Sequence, residues 1–328
     1  MDARPTDLMP AAAVPARRSD FNRALYTGLA VLGLACIVAA PFAIYPVFLM
    51  KILCFALFAA AFNLLIGYVG LLSFGHAAFF GGGAYASAHA LKVWGWPPEL
   101  GILFGAAVGA LLGLVMGFFA IRRQGIYFAM ITLALAQMVF FVCLQAPFTG
   151  GEDGIQNVPR GFLLGGLIDL SVNLNLYYVV LAITAFGLFA VWRVVHSPFG
   201  AVLQAIRENE PRAISLGYRV DRYKLGAFVM SAGLAGLAGG TKALVFQLAT
   251  LTDVAWQMSG EVILMTLLGG IGTLPGPVVG AALVAALEHY FATSSFPVTI
   301  ITGLVFMACV LLFRRGIVGE VLHRLRRR

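Results

Sequence analysis

Three ionisable residues stand inside long apolar runs: Lys242, Glu261 and Glu288. An ammonium and two carboxylates so placed either pair with one another or pass a proton along a watered route. All three fall in the outer third of their apolar runs, which is shallow for a relay. The expectation is therefore an ion network at an outer mouth, in which Lys242 meets Glu261 or Glu288. His76, in SFGHAAFFGGGAY, can cap backbone at a helix end or contact a ligand. No H-E-x-x-H or G-x-S-x-G pattern occurs, and Gly239-Gly240-Thr241-Lys242 lacks the spacing and preceding strand of a phosphate-binding loop. Cys36, Cys54, Cys143 and Cys309 lie in apolar runs without C-x-x-C spacing, so they read as packing residues. The chain is thus expected to hold no catalytic group, metal or cofactor of its own.

The elements that must position these residues are set by composition. Of 328 residues 61% are hydrophobic and 11% charged, against about 25% charged in soluble domains. Such a chain is an all-α polytopic membrane protein, because only helices and closed barrels satisfy their backbone in lipid. Apolar windows give ten spans, at 24–44, 47–67, 72–91, 99–121, 126–146, 175–195, 225–248, 257–272, 276–292 and 297–313. Two of these are delicate: 72–91 is short and glycine-rich enough to be re-entrant, and 257–292 is either one bent helix or two broken at GGIGTLPGP (269–277). Charge arbitrates. With ten spans and the N-terminus inside, 18 of the 22 Lys and Arg residues fall on the inner side, as the orientation rule requires. The net charge of +8 then reflects topology and lipid headgroups, with no nucleic acid needed. Residues 1–23 are expected to be a disordered cytoplasmic tail, 24–313 the membrane domain and 314–328 a basic cytoplasmic tail. The longest outer loop, 147–174, carries Glu152, Asp153 and Asp169; it joins two spans or touches an extracytoplasmic partner.

Two apolar segments are interrupted by glycine, GYVGLLSFGHAAFFGGGAY (67–85) and LLGGIGTLPGPVVGAAL (267–283). Irregular backbone at membrane depth is tolerated where it lines a cavity or is covered by protein, and paired interruptions point to a substrate path. Ser73, His76, Gly81, Gly82, Gly269, Gly270 and Gly272 are the candidates for that path. The competing reading is close helix packing by small residues.

One polar, basic loop separates the two halves, HSPFGAVLQAIRENEPRAISLGYRVDRYK (196–224). Ser197-Pro198 is a helix start, Glu210-Pro211 opens a second short helix and Gly217 is placed to end it. Ala213, Ile214 and Leu216 would then be offered to a protein groove, or the loop lies on the headgroups.

The segments 63–85, RRQGIYFAMITLALAQM (122–138), FTGGEDGI (148–155), 197–239 and 267–283 together resemble the branched-chain amino-acid ABC importer permeases, the larger M-type subunit in particular. The likeness covers the chain after its N-terminal tail. It implies an importer in the bacterial inner membrane, with both termini cytoplasmic. This subunit would pair with a sister permease, two cytoplasmic ATPase subunits that use ATP and Mg, and a periplasmic substrate-binding protein. The 196–224 loop would be the coupling segment. ABC permeases often carry Glu-Ala-Ala, three residues, then Gly there. Here the same spacing gives Pro211, Arg212, Ala213 and Gly217, so Ala213 and Gly217 match, and Glu208 or Glu210 stands in for the missing glutamate. Relatives carrying urea or other small polar solutes share the pattern. An ion-coupled secondary transporter is the rival class, but it wants charged groups near midplane, where Asn63 and Gln137 are neutral. A polytopic enzyme lacks any acid–base or metal constellation.

Overall fold

The computed structural model describes residues 38–42, 44–166, 168–291, 300, 303–304, 307, 311 and 316–320. The chain divides into two units, Met1–Tyr45 and Pro46–Arg328. Of the first, a single 3-10 turn, Ala40–Phe42, is described. The expected N-terminal tail and nearly all of span 24–44 lie outside the described residues, as do most of 297–313 and of the 314–328 tail.

The second unit is built on helices α1 (Pro46–Asn63), α2 (His76–Lys92), α3 (Pro98–Ala120), α4 (Ile126–Gln145) and α5 (Asn173–Val195). After α5 come the loop helices α6 (Pro198–Glu208) and α7 (Glu210–Ser215), then α8 (Val220–Phe246), α9 (Trp256–Gly269) and α10 (Gly276–Phe291). Among the described residues five helical stretches are long and apolar enough to cross a membrane. They are Pro46–Val69, Pro98–Ala120, Ile126–Gln145, Asn173–Val195 and Val220–Phe246, each close to an expected span.

Their burial differs sharply. The most apolar window of Pro46–Val69 is 89% buried and that of α8 is 72% buried, while those of α3, α4 and α5 are between 28% and 33% buried. The first two therefore form the core, and the other three present apolar surface outward. Small residues make the core possible. A methyl group on Gly83 of α2 would come within 2.5 Å of the Gly236 backbone in α8, and one on Gly109 of α3 within 2.9 Å of the Gly236 Cα. Backbones this close are the small-residue packing of membrane helices.

The two delicate segments resolve as follows. Segment 72–91 forms α2, whose 17 residues are nearly all buried and whose length is about 25 Å. Segment 257–292 forms two helices, α9 and α10, packed together and separated by Gly270–Pro275. Both are shorter than 18 residues.

The loops sort to two ends. At one end lie the 64–75 turn, the loop helices and the α9–α10 turn, joined by hydrogen bonds. At the other lies the 147–172 segment, where all-helical structure gives way to two-residue antiparallel ladders. Strand β1 (Ile155–Gln156) pairs with β4 (Leu248–Ala249), and β2 (Phe162–Leu163) with β3 (Ile168–Asp169). These ladders satisfy backbone groups that no helix covers. Lys92 Nζ donates to the Gln156 carbonyl at 2.7 Å, tying the far end of α2 to the same cap.

Candidate functional site

The loop between α5 and α8 folds as two capped helices. Ser197 Oγ accepts from the Gly200 amide at 3.3 Å to start α6. Asn209 Oδ1 accepts from the Arg212 amide at 3.1 Å, so Asn209 caps α7. Gly217 ends it with φ of +86°, a left-handed conformation that glycine adopts freely. The Tyr218 amide then reaches the Ala213 carbonyl at 3.2 Å.

The expected display of apolar residues needs correction at one position. Ala213 is buried against Ile206 and Val220, whereas Ile214 and Leu216 are exposed at 57% and 69%. A six-residue amphipathic helix has to spend one face on its own support, and Ala213 is on that face. Glu210 is engaged as well: Lys224 Nζ donates to its Oε1 at 2.6 Å, with the lysine side chain only 4% exposed. Glu208 and Arg212 are exposed.

The loop meets both glycine interruptions at one place. After Asn63 the first helix widens into a π-turn, Leu64–Val69, closed by Gly70 at φ +82°. Asn63 spans the gap to the second interruption. Its Nδ2 donates to the Thr273 carbonyl and its Oδ1 accepts from the Gly272 amide, both at 2.9 Å. Tyr68 Oη donates to the Gly272 carbonyl at 3.1 Å. Arg207, near the end of α6, donates through Nη1 to the Gly67 carbonyl. Its stem crosses Gly70, where a methyl group would sit 3.1 Å from Arg207 Cγ. Gly67, Tyr68, Gln204, Arg207, Glu208 and Gly272 line a polar cavity of about 470 Å³.

In the sequence Arg207 counts only as one of the 18 inner-side basic residues, and nothing there singles out Tyr68. The available signal was Asn63 and Tyr68 flanking a glycine break whose backbone needs partners. Of the expected path residues, Gly272 lies at this junction. Gly269 packs against Gly276 and Gly270 against Gly316.

Ser73, His76, Gly81 and Gly82 are buried inside the unit. Ser73 Oγ accepts from the Gly75 amide at 3.1 Å. His76 opens α2 without capping it; its Nε2 is 2.8 Å from Ser231 Oγ, which itself donates to the Ala61 carbonyl at 2.6 Å. With the hydroxyl proton so used, the imidazole is the donor. Its ring meets Phe62 and Phe79 edge-on, so His76 joins α1, α2 and α8. A methyl group on Gly81 would strike the Val254 backbone, and one on Gly82 would come within 2.7 Å of Leu112. Packing accounts for both glycines.

The ion network also differs from expectation. Lys242 Nζ pairs with Asp253 Oδ2 at 2.6 Å, and neither Glu261 nor Glu288 is its partner. Glu288 pairs with Lys51 at 2.9 Å. The reason is the path of the chain after α8. The Leu251–Asp253 turn carries a capping box at Thr250 and folds back against Gly81 of α2, leaving Asp253 2% exposed. Residues 249–256 fall between the expected spans 225–248 and 257–272, so Asp253 is not among the charges the sequence places inside apolar runs. Among the described residues no group of His, Cys, Asp and Glu is arranged to hold a metal.

Comparison with known proteins decides what carries this architecture. The family model described as the branched-chain amino acid transport system / permease component matches residues 44–314. The chain belongs to this permease family. It is a mostly helical, multi-pass membrane protein of that group. The permease is 30% identical over 248 residues to the high-affinity branched-chain amino acid transport system permease protein LivM of Salmonella typhimurium, covering 67% of this chain and 57% of the relative. It thus spans little more than half of that relative's length. It is 22% identical over 261 residues to the probable branched-chain amino acid transport permease protein LivH of Methanocaldococcus jannaschii, covering 75% of this chain and 82% of the relative. To the ribose import permease protein RbsC of Bacillus subtilis it is 28% identical over 204 residues, 55% of this chain and 58% of that one. No solved structure matches the permease.

Proposed function

We propose that this protein is the translocating membrane subunit of an ATP-driven importer for branched-chain amino acids in a bacterial inner membrane. Family membership supports the transport role, and the LivM and LivH relatives favour the substrate class. In this reading the subunit crosses the membrane ten times with both termini cytoplasmic. It pairs with a sister permease, and a periplasmic binding protein delivers the solute. ATP and Mg are used by two docked ATPase subunits, so this chain hydrolyses nothing itself.

The observation that carries the mechanism is the bond from Arg207 to the Gly67 carbonyl. A loop without catalytic groups transmits work only through contacts. Ile214 and Leu216 face outward, ready for an ATPase groove, while the other end of the same loop holds a broken helix by its backbone. Movement of α6 then pulls on Gly67 beside the left-handed Gly70, and through Asn63 and Tyr68 on the α9–α10 turn. Gly270 and Gly272, at φ +120° and +75°, give that turn the freedom to follow.

The test is uptake of labelled leucine by the assembled importer in liposomes. Gly217→Trp is expected to leave membrane insertion intact and to uncouple ATP hydrolysis from uptake. Unchanged uptake by this variant would falsify the coupling role. The ribose permease relative makes a sugar the informative competing solute, and uptake of ribose in place of leucine would overturn the substrate assignment.

A further inference from the structure

A second cavity, of about 760 Å³, lies far from the Arg207 junction, in the groove between α3 and α5 with Leu237 of α8 among its lining residues. Leu163 and Ile168 from the β2–β3 ladder line it at the end opposite α6 and α7. Its lining is apolar along α5 from Val179 to Phe186, and its polar groups, Glu99 and Asn175 among them, gather toward the ladder. Glu99 Oε2 is buried and has no hydrogen-bond partner. A carboxylate oxygen placed there, with no donor from the described residues, favours a cationic donor at the mouth of the groove.

Depth and length identify that donor. Trp94 and Trp96, both exposed, stand just before α3 and pack with Phe104. Paired tryptophans of this kind mark the membrane interface, which puts Glu99, two residues past Pro97, at headgroup level. From Asn175 to Phe186 the groove follows α5 for about 16 Å, close to one leaflet of a hydrocarbon core of about 30 Å. Leu103 and Phe186 at its rim are 60% and 67% exposed, so it opens sideways. An amino acid would bring an ammonium to Glu99 but leave most of that length empty, and among the described residues no Lys or Arg lines the groove to meet its carboxylate.

We propose that this groove is a binding site for an amine-bearing phospholipid of the outer leaflet, with the headgroup ammonium donating to Glu99 and one acyl chain lying along α5. A primary ammonium offers three donors, whereas a choline headgroup offers none, so the site distinguishes phosphatidylethanolamine from phosphatidylcholine.

The experiment is native mass spectrometry of the full-length permease released from nanodiscs holding equal phosphatidylethanolamine and phosphatidylcholine. Wild type is expected to retain the ethanolamine lipid over the choline lipid by about tenfold, the scale of one charged hydrogen bond. Glu99→Gln should bring the ratio near one. Ala182→Trp, at an exposed position lining the groove, should remove retention of both lipids without lowering thermal stability. Leu111→Trp, on lipid-facing α3 outside the groove, should change nothing. Equal retention by wild type, or a preference surviving Glu99→Gln, overturns the proposal. So does a photo-crosslinker at position 182 that captures polypeptide in native membranes in place of lipid.

Discussion

The two ends of the helical unit hold their irregular backbone by different means. At the end carrying α6 and α7, the breaks are joined by neutral side chains and one guanidinium bonded to backbone, through Asn63, Tyr68 and Arg207. At the other end charges pair with charges: Lys242 with the buried Asp253, and half-buried Lys51 with half-buried Glu288. The ion pair Lys224–Glu210 belongs to the first end but ties α7 to the base of α8 and leaves the breaks alone. Removing one partner of a buried pair costs about 3–5 kcal/mol, while a single hydrogen bond contributes about 1 kcal/mol net. The paired end is therefore a fixed frame, and the hydrogen-bonded end is the part that rearranges at low cost.

The sharpest way to break that comparison is Asp253→Ala, which strands Lys242 in the interior. It should destabilise the permease by about 3–5 kcal/mol, read as loss of monodisperse protein and a lowered unfolding midpoint in detergent. Joint replacement of Lys242 by Met and Asp253 by Leu should recover most of that loss, which a direct role in transport chemistry would not allow. Next is Gly83→Leu, which drives a side chain into the Gly236 backbone. Overpacking there is expected to cost about 1–3 kcal/mol or more, measured in the same unfolding assay. Arg207→Ala, which removes one hydrogen bond from an exposed side chain, should cost only about 1 kcal/mol in stability, yet cut leucine uptake severely while ATPase turnover persists. Equal loss of both activities would blur the distinction between the ends. The smallest stability effect belongs to Ile214→Ser with Leu216→Ser. Both positions are exposed, so the change should lie within about 0.5 kcal/mol, but co-purification of the ATPase subunits should fail.

What the sequence allowed to be read follows the same division. The long apolar runs and the loop caps were legible because they rest on local signals: composition over about twenty residues, Ser197-Pro198, and the left-handed Gly217. The α9–α10 break was legible from its glycines and prolines. Lys242 was misassigned because pairing across helices depends on where the chain goes after Phe246, and the fold-back of Thr250–Asp253 has no periodic signature. Arg207 escaped for a related reason. Its partner is a carbonyl, which every residue carries, so no residue type announces it. Ala213 matched a family spacing, but spacing does not say which face of a short helix turns inward.

The π-turn has a consequence for the gene itself. Between Leu64 and Val69 the amides of Gly70 and Leu71 both reach back to the Leu65 carbonyl, the signature of a turn holding a surplus residue. Deleting one codon there would regularise the helix and swing everything downstream by about 100°, carrying the Gly67 carbonyl away from α6. The link between loop and membrane is thus written in how many residues the turn contains, and a mutational scan restricted to substitutions would pass over it.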